Sequence, residues 1–331
     1  MVLNNIWYIL ITCLITCYFI LDGYKLGAGI IHLGLKTEEL KNSSIKAIGP
    51  VKDLNELWLI VALFSLVSVF PLIKDIINDE LSYCLYLFIF LFITRNVSYV
   101  LRKKNLSEHK RKLFDIMFCI SSYSIVLLLG ITIGNLITGI PLTNRREFSG
   151  TIFTFFRPYQ ILTGITSVMF IRMYGKIFLA MRTEGELQNK VSSDINSSLA
   201  MFLITFIFLA GWTFIVYPHV NQNFFKFPVW FFLPAMIILS IVVIPAFVRN
   251  QLYFRAFIAS SAILAFCIII AAVDIYPNLV ISNPNPGNGL TIYNSSTTME
   301  SSILMLYLVC IAIPAMIVYK IYVNRKIKDR H

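Results

Sequence analysis

Long apolar stretches separated by short polar segments run through the whole chain. A helix of about 20 predominantly apolar residues is long enough to cross a bilayer. The pattern predicts an all-α polytopic membrane protein with about nine transmembrane helices in a single membrane domain, residues 1–331. The expected arrangement of nine such helices is two four-helix bundles plus one peripheral helix, which the periodicity does not itself show. The predicted spans are residues 6–24, 57–74, 83–101, 114–136, 159–180, 199–217, 228–248, 254–274 and 302–322.

The basic residues occur mainly in every second gap between these spans. Of the 28 lysines and arginines, 19 lie in or beside the first, third, fifth and seventh gaps and the C-terminal tail, and 5 lie in or beside the other gaps. By the positive-inside rule, the N-terminus is expected outside and the C-terminus in the cytoplasm. The formal net charge of +11 is then expected to face an anionic lipid leaflet, and nucleic acid is not an expected partner.

Composition agrees with this class, since 57% of the residues are hydrophobic and only 14% are charged. The six cysteines fall within predicted spans and lack the paired spacing of a metal site. Of the four histidines, only His32 is close to an apolar stretch. A chain that binds several haems through imidazole needs histidines within the membrane. We therefore expect this chain to ligate neither a metal nor a haem.

Two connecting segments have a composition that predicts local structure. The first gap begins with Gly23, Gly27 and Gly29, where the small residues should let another helix approach closely. The eighth gap contains residues 283–289, NPNPGNG, which favour turns over helix or strand.

Asp22 is the first candidate for chemistry, because an ionisable side chain in the membrane costs about 2.5–3.5 kcal/mol on insertion scales and is usually functional. It follows the apolar part of the first span and should lie near the inner end of that helix. At that position it could accept protons from the inner side. It could equally pair with Lys25, three residues later on the same helical face.

A second acidic group precedes span two, where Asp53, Asn55 and Glu56 come before Trp58. Two carboxylates three residues apart, with an amide between them, would suit a proton entry point. The same segment has the form of an N-terminal helix cap, in which Glu56 reaches back to the capping residue. A cap alone and a cap that also handles protons both fit the sequence.

Arg95, Arg172 and Lys176 are basic residues inside predicted spans. Arg95 in span three needs an acidic partner unless its side chain reaches the inner interface, and this snorkelling is the simpler interpretation. Arg172 and Lys176, near the inner end of span five, are also expected to snorkel.

Five sequence blocks, in the same order along the chain, resemble subunit II of the cytochrome bd-type quinol oxidases. Asp22–Gly29, DGYKLGAG, is similar to that family's Asp-Gly-Phe segment with its trailing glycines. Gly49–Leu59, GPVKDLNELWL, resembles its Trp-Asp-Gly-Asn-Glu-Val-Trp block. Gly130–Pro141, which contains Asn135, matches a Gly-Asn…Gly-x-Pro stretch that closes span four.

The remaining two blocks lie in later gaps. Met181–Leu187, which contains Glu184, looks like the family's Lys/Arg-Thr-x-Gly-Glu-Leu turn, and Leu290–Ser296 resembles its Leu-Thr-Ile-x-Asn-Ala-Ser segment. The chain also departs from the family pattern. Lys25 stands where a second acidic residue is usual, and Lys52 and Leu54 replace the Trp and Gly beside the family's Asp.

The resemblance implies a heterodimer in a bacterial cytoplasmic (inner) membrane that oxidises quinol, reduces dioxygen to water and generates a proton gradient. In that family the haems, b and d, belong to subunit I, whereas subunit II supports assembly and is associated with proton supply from the inner side. The resemblance also allows a bound quinone and a small accessory subunit. It implies the following roles here: Asp53 and Glu56 collect protons, Asp22 relays them towards subunit I, and Asn55, Trp58, Arg95, Asn135 and Glu184 support the route or the interface.

Two alternatives come from other functional classes. A secondary transporter without haem also fits a polytopic chain with a few charges in its spans. A purely structural subunit, in which the acidic residues only cap helices and form ion pairs, fits as well.

Overall fold

The structure, a computed structural model, describes residues 1–49, 55–78, 81–104, 107–217 and 222–328. Apart from short 3₁₀ turns and two short strands, the described residues form helices and the segments that connect them, the longest of which are residues 139–157 and 276–298. The helices are α1 Val2–Ile31, α2 Glu38–Ala47, α3 Glu56–Val69, α4 Leu72–Asn78, α5 Leu81–Arg102, α6 Glu108–Thr138, α7 Pro158–Arg182, α8 Glu186–Ser193, α9 Ile195–Val216, α10 Gln222–Lys226, α11 Phe232–Arg249, α12 Tyr253–Ile275 and α13 Met299–Lys328.

Eight helices in the described ranges are long and apolar enough to cross a membrane, namely α1, α5, α6, α7, α9, α11, α12 and α13. α3 is apolar but shorter. The predicted all-α polytopic class is therefore confirmed. Large apolar side chains on the outer helices point away from the protein, as lipid-facing residues should. Phe208, Val242 and Ile311 are examples, each about two-thirds exposed.

The second predicted span, one helix over residues 57–74, is divided into two helices in the structure. α3 ends at Val69, Phe70 leaves helical geometry with φ −123° and ψ 72°, and α4 begins at Leu72. Pro71 explains the break, because proline disfavours helical geometry in the residue before it. The 14 residues of α3 rise about 21 Å, which is less than the roughly 30 Å hydrocarbon core of a bilayer.

α1 is longer than predicted, since it continues past residue 24 to Ile31. Its glycines do not end the helix because they pack against other helices. A Cβ atom placed on Gly27 would lie 2.7 Å from Cα of Gly175 on α7, and one on Gly29 would lie 2.7 Å from Cβ of Ser122 on α6. The expectation that small residues here admit a close helix is confirmed, because α7 and α6 both approach α1 at these glycines.

Taken in chain order, the eight long apolar helices and α3 can be described as a first group of α1, α3, α5 and α6, a second group of α7, α9, α11 and α12, and α13 outside both. In the first group α1 contacts α3 and α6, and α5 packs on α6. In the second group α7 contacts α9 and α12, and α11 packs on α12. α13 lies against α3 at the periphery. α7 joins the groups, because it also contacts α1 and α6.

The two ends of this bundle differ in chemistry. The loop end carries the N-terminus and a small antiparallel ribbon, β1 Asn278–Val280 with β2 Leu290–Thr291. Asn4 Nδ2 ties α1 to this segment by donating to the Ile292 carbonyl oxygen over 2.8 Å. The opposite end, called the basic end below, is where α1, α5 and α7 finish and where Arg102 and Arg182 lie.

Candidate functional site

Three helices bring charged side chains together near the basic end. Asp22 lies on α1, Glu56 is the first residue of α3, and Arg95 lies on α5. Asp22 and Arg95 are 0% and 3% exposed, so both charges are inside the protein, whereas Glu56 is 22% exposed. Together with Lys25 on α1, these residues are called the Arg95 site.

Arg95 binds both carboxylates of this site. Its Nη1 lies 2.8 Å from Asp22 Oδ2, and its Nη2 lies 2.9 Å from Glu56 Oε1. A buried guanidinium requires such partners, because an unpaired buried charge is strongly destabilising. The prediction that Arg95 snorkels to the interface is therefore wrong. Its side chain instead turns inwards to acidic residues that come from two other helices.

Lys25 balances the charge of the Arg95 site. Its Nζ lies 3.8 Å from Asp22 Oδ1, so the site holds two carboxylates and two cations. Asp22 Oδ1 is buried and has no hydrogen-bond partner within the described residues, and the same is true of the Tyr18 hydroxyl one turn earlier. Asp22 therefore binds Arg95 through one oxygen, and its other oxygen faces Lys25.

Asn55 holds the start of α3 against α1. Its side chain is 1% exposed, donates from Nδ2 to the Leu21 carbonyl oxygen over 2.6 Å and accepts at Oδ1 from Lys320 Nζ over 3.1 Å. α3 begins at Glu56 itself and the Glu56 carboxylate binds Arg95, whereas the residue that Glu56 was predicted to reach back to is not among the described residues. Asp53, the predicted cap and proton collector, lies outside the described residues.

The other predicted site residues are distributed over the molecule. Trp58 is half-buried on α3, one turn from Asn55, and packs against two groups of buried apolar side chains. Asn135 lies at the loop end of α6, where its Nδ2 donates to the carbonyl oxygens of Ile131 and Phe155 over 2.9 and 3.0 Å. Glu184 is exposed in the turn after α7. The structure therefore does not bring Asn135 or Glu184 to the Arg95 site.

A second buried charged cluster, called the Asp115 site, was missed by the sequence analysis. Asp115 on α6 is 1% exposed and accepts from His32 Nε2 over 2.9 Å, from Lys41 Nζ over 3.3 Å and from Arg102 Nε. Arg102 Nη2 also lies 2.9 Å from Glu38 Oε2. The site joins α1, α2, α5 and α6 at the basic end.

The partners of Asp115 determine the hydrogen position on His32. A carboxylate that binds two cations only accepts hydrogen bonds, so His32 Nε2 carries the hydrogen. His32 is 0% exposed, and its Nδ1 has no partner within the part of the chain that the structure describes. His32 is thus an internal side chain whose donor nitrogen is committed to Asp115.

One signal in the sequence could have revealed this pair of sites. Arg95 and Arg102 are seven residues apart on α5, so they share a helical face about 10 Å apart along its axis. Each binds one buried aspartate and one more exposed glutamate. Asp115, at the start of the fourth predicted span, is the residue that should have been paired with Arg102.

Two more ionisable side chains lie inside the bundle. Lys176 is 5% exposed, and its Nζ lies 2.9 Å from Ser198 Oγ and 3.6 Å from Asp194 Oδ2, so it is paired at the basic end, and its snorkelling stays a prediction. At the loop end, Asp274 Oδ1 is buried without a hydrogen-bond partner among the described residues. Within those residues, no group of three His, Cys, Asp or Glu side chains could hold a metal ion.

Comparisons with known proteins give a consistent result. A family model described as "Cytochrome bd terminal oxidase subunit II" matches residues 3–327. Cytochrome bd-I ubiquinol oxidase subunit 2 of Escherichia coli (strain K12) is 24% identical, covering 96% of this chain and 92% of the relative. Cytochrome bd ubiquinol oxidase subunit 2 of Bacillus subtilis (strain 168) is 23% identical, covering 98% and 96%.

The fold is also found in a solved structure. The bd oxidase from Geobacillus thermodenitrificans contains a chain that matches with a TM-score of 0.80 at 17% identity, covering 99% of this chain and 98% of that chain. Because so little sequence is shared, this likeness concerns the fold.

Proposed function

This chain belongs to the cytochrome bd terminal oxidase subunit II family, and we propose that it works as the second subunit of a complex that oxidises quinol and reduces dioxygen to water. The names of the curated relatives, which are ubiquinol oxidase subunits, support this activity. The secondary-transporter alternative is not supported by these matches.

In this proposal the haems, b and d, are bound by subunit I. Among the described histidines, His32 Nε2 is bonded to Asp115 and His109 is exposed at the start of α6, which supports placing the haems in subunit I. Haem supplies the oxygen chemistry in the partner, and this chain contributes support and protons. A quinone bound to this chain and a small accessory subunit are further proposals that rest on family membership.

The proposed location is the bacterial cytoplasmic membrane, with the basic end facing the cytoplasm. The alternating distribution of lysine and arginine supports this orientation. The Arg95 site then lies towards the cytoplasmic side, from which protons for water formation would come.

We propose that the Arg95 site relays these protons, and one observation carries this proposal. Arg95 binds two carboxylates, one buried and one partly exposed. A proton on Glu56 leaves Arg95 paired with Asp22. Transfer of that proton to Asp22 Oδ1 leaves Arg95 paired with Glu56, so the guanidinium keeps a counter-charge in both states. Asp53 stays a candidate for collecting protons ahead of Glu56.

The test is oxygen consumption by the assembled oxidase with quinol as the reductant. We expect Asp22→Asn to slow turnover by about 10²-fold, the lower end of what a positioned proton-transfer group contributes. Glu56→Gln should give a similar but smaller loss. Asp194→Asn is the matched control, because Asp194 is also at the basic end but is 47% exposed and lies outside the Arg95 site.

The haem spectrum separates a relay from a structural role. An Asp22→Asn oxidase with normal haem bands and slow turnover would support the relay. Normal bands with unaltered turnover would exclude it. Loss of the bands together with loss of subunit I would instead support the structural-subunit alternative, in which Asp22 serves assembly through Arg95.

The subunit assignment has a separate test that does not involve the Arg95 site. Tagged chain, purified in mild detergent, should bring down a larger membrane subunit with haem bands in the reduced-minus-oxidised spectrum. Recovery of this chain alone and colourless, from cells able to make haem, would contradict the oxidase assignment.

A further inference from the structure

Lys320 links the peripheral helix α13 to Asn55, the residue that precedes Glu56 of the Arg95 site. Lys320 Nζ on α13 donates to Asn55 Oδ1 over 3.1 Å, and Asn55 Nδ2 donates to the Leu21 carbonyl oxygen over 2.6 Å. These two hydrogen bonds connect α13, the start of α3 and α1 in one line.

The two partners fix the orientation of the Asn55 amide. A lysine ammonium has only donors and a backbone carbonyl has only acceptors, so Oδ1 must face Lys320 and Nδ2 must face Leu21. An amide turned over would lose both bonds inside the protein, where Asn55 is 1% exposed. Lys320 therefore selects the orientation in which Asn55 Nδ2 donates to the Leu21 carbonyl oxygen on α1.

The Asn55–Leu21 hydrogen bond acts on the backbone next to the carboxylates of Asp22 and Glu56. Leu21 is followed by Asp22, and Asn55 is followed by Glu56. The Asn55–Leu21 hydrogen bond thus sets the spacing of the two chain segments that present their carboxylates to Arg95. A proton can pass between these groups only if that spacing holds, because proton transfer requires partners within hydrogen-bond reach.

We propose that Lys320 is a positioning residue for proton transfer, acting on Asp22 and Glu56 through Asn55. This inference rests on the proposed relay and adds α13 to it. Lys320 transfers no proton in this scheme, and its part is to hold the amide.

The experiment compares Lys320→Met with Lys320→Arg in the assembled oxidase, by quinol-driven oxygen consumption across pH. We expect Lys320→Met to lower kcat by up to about 10²-fold, the loss that a misplacement of about 1 Å produces at a reacting site, and to change the pH profile while the haem spectrum and the KM for quinol stay unchanged. Lys320→Arg should restore most of the rate. Lys190→Met, an exposed lysine on α8, is the matched control and should behave as the parent.

A double substitution tests whether Lys320 acts through Asn55. In an Asn55→Ala background, Lys320→Met should cause no additional loss, because the group that it positions is already absent. An additive loss would overturn the proposal. So would parental kinetics of Lys320→Met, which would leave Lys320 as a snorkelling side chain. Missing haem bands in Lys320→Met, with normal bands in Lys320→Arg, would place Lys320 in assembly and also overturn it.

The Asp22→Asn variant distinguishes failure of this inference about Lys320 from failure of the proposed relay. If Asp22→Asn is slow and Lys320→Met is not, the relay stands and the role of Lys320 fails. If Asp22→Asn turns over normally, the relay itself fails, whatever Lys320→Met does.

Discussion

Asp115 shows how strongly single buried charges should matter in this protein. It is 1% exposed and accepts from His32, Lys41 and Arg102. Asp115→Asn leaves the buried Arg102 and the partly buried Lys41 short of their carboxylate, and breaking a buried pair such as Arg102–Asp115 costs roughly 3–5 kcal/mol. We expect a clear fall in the melting temperature of the purified complex and lower yield in the membrane.

Glu38 provides the control within the same cluster. It binds Arg102 but is 41% exposed, and a solvent-exposed ion pair contributes only about 0–1 kcal/mol. The complex with Glu38→Gln should therefore have a melting temperature close to that of the parent complex. Equal melting temperatures for both variants would show that burial does not set the strength of the Asp115 site.

The residues in and beside the Arg95 site show the limit of prediction from sequence. Asp22, Asn55, Glu56 and Arg95 could be selected because charged and amide side chains are unusual beside apolar spans. Their partners could not, because Arg95 meets Asp22 across 73 positions and Lys320 meets Asn55 across 265. Only packing of whole helices creates such contacts, and for this reason snorkelling was the wrong interpretation of Arg95.

At the scale of helices, the contact between α1 and α7 depends on paired glycines. A Cβ atom on Gly175 would lie 2.6 Å from both Cα of Gly27 and the backbone nitrogen of Ala28, so Gly175→Ala cannot fit without moving a helix. Overpacking of this kind costs about 1–3 kcal/mol. We expect Gly175→Ala to lower the amount of assembled oxidase, measured by haem absorbance per unit of membrane protein, and to lower its melting temperature.

Gly211 on α9 is the matched control, because a Cβ placed there would meet no atom within 4 Å. Gly211→Ala should be neutral or stabilising by up to about 1 kcal/mol, since alanine favours helix more than glycine does. If Gly175→Ala assembled as well as Gly211→Ala, the close approach of α1 and α7 would not be required.

The helix boundaries show which local signals carry information. Apolar length located the long helices, including the cores of α1 and α3. It could not show that α1 continues to Ile31, because glycines in a sequence are read as breaks until the helices packed on them are known. Pro71 was a readable signal for the end of α3, since the residue before a proline avoids helical geometry.

At the scale of the whole molecule, alternation of apolar and basic segments was enough to predict the fold class. It was also consistent with two groups of four spans, because sequential helices with short connections tend to pack as neighbours. The central place of α7 was not predictable in this way. α7 lies between the groups because Gly164 and Gly175 let α6 and α1 approach it closely, and neither residue looks unusual in an apolar sequence.

The last prediction concerns the orientation of the molecule in the membrane, with the basic end facing the cytoplasm. The test introduces one cysteine at either end and adds a thiol reagent that does not cross membranes. Gly287→Cys at the loop end should be labelled in intact cells, whereas Lys190→Cys at the basic end should be labelled only after permeabilisation. Both positions are exposed, and the chain without an added cysteine gives the background. The physical reason is that each lysine or arginine moved through the bilayer centre costs about 2.5–3.5 kcal/mol. The opposite labelling pattern would put the Arg95 site on the outer side and remove the reason for expecting it to supply cytoplasmic protons.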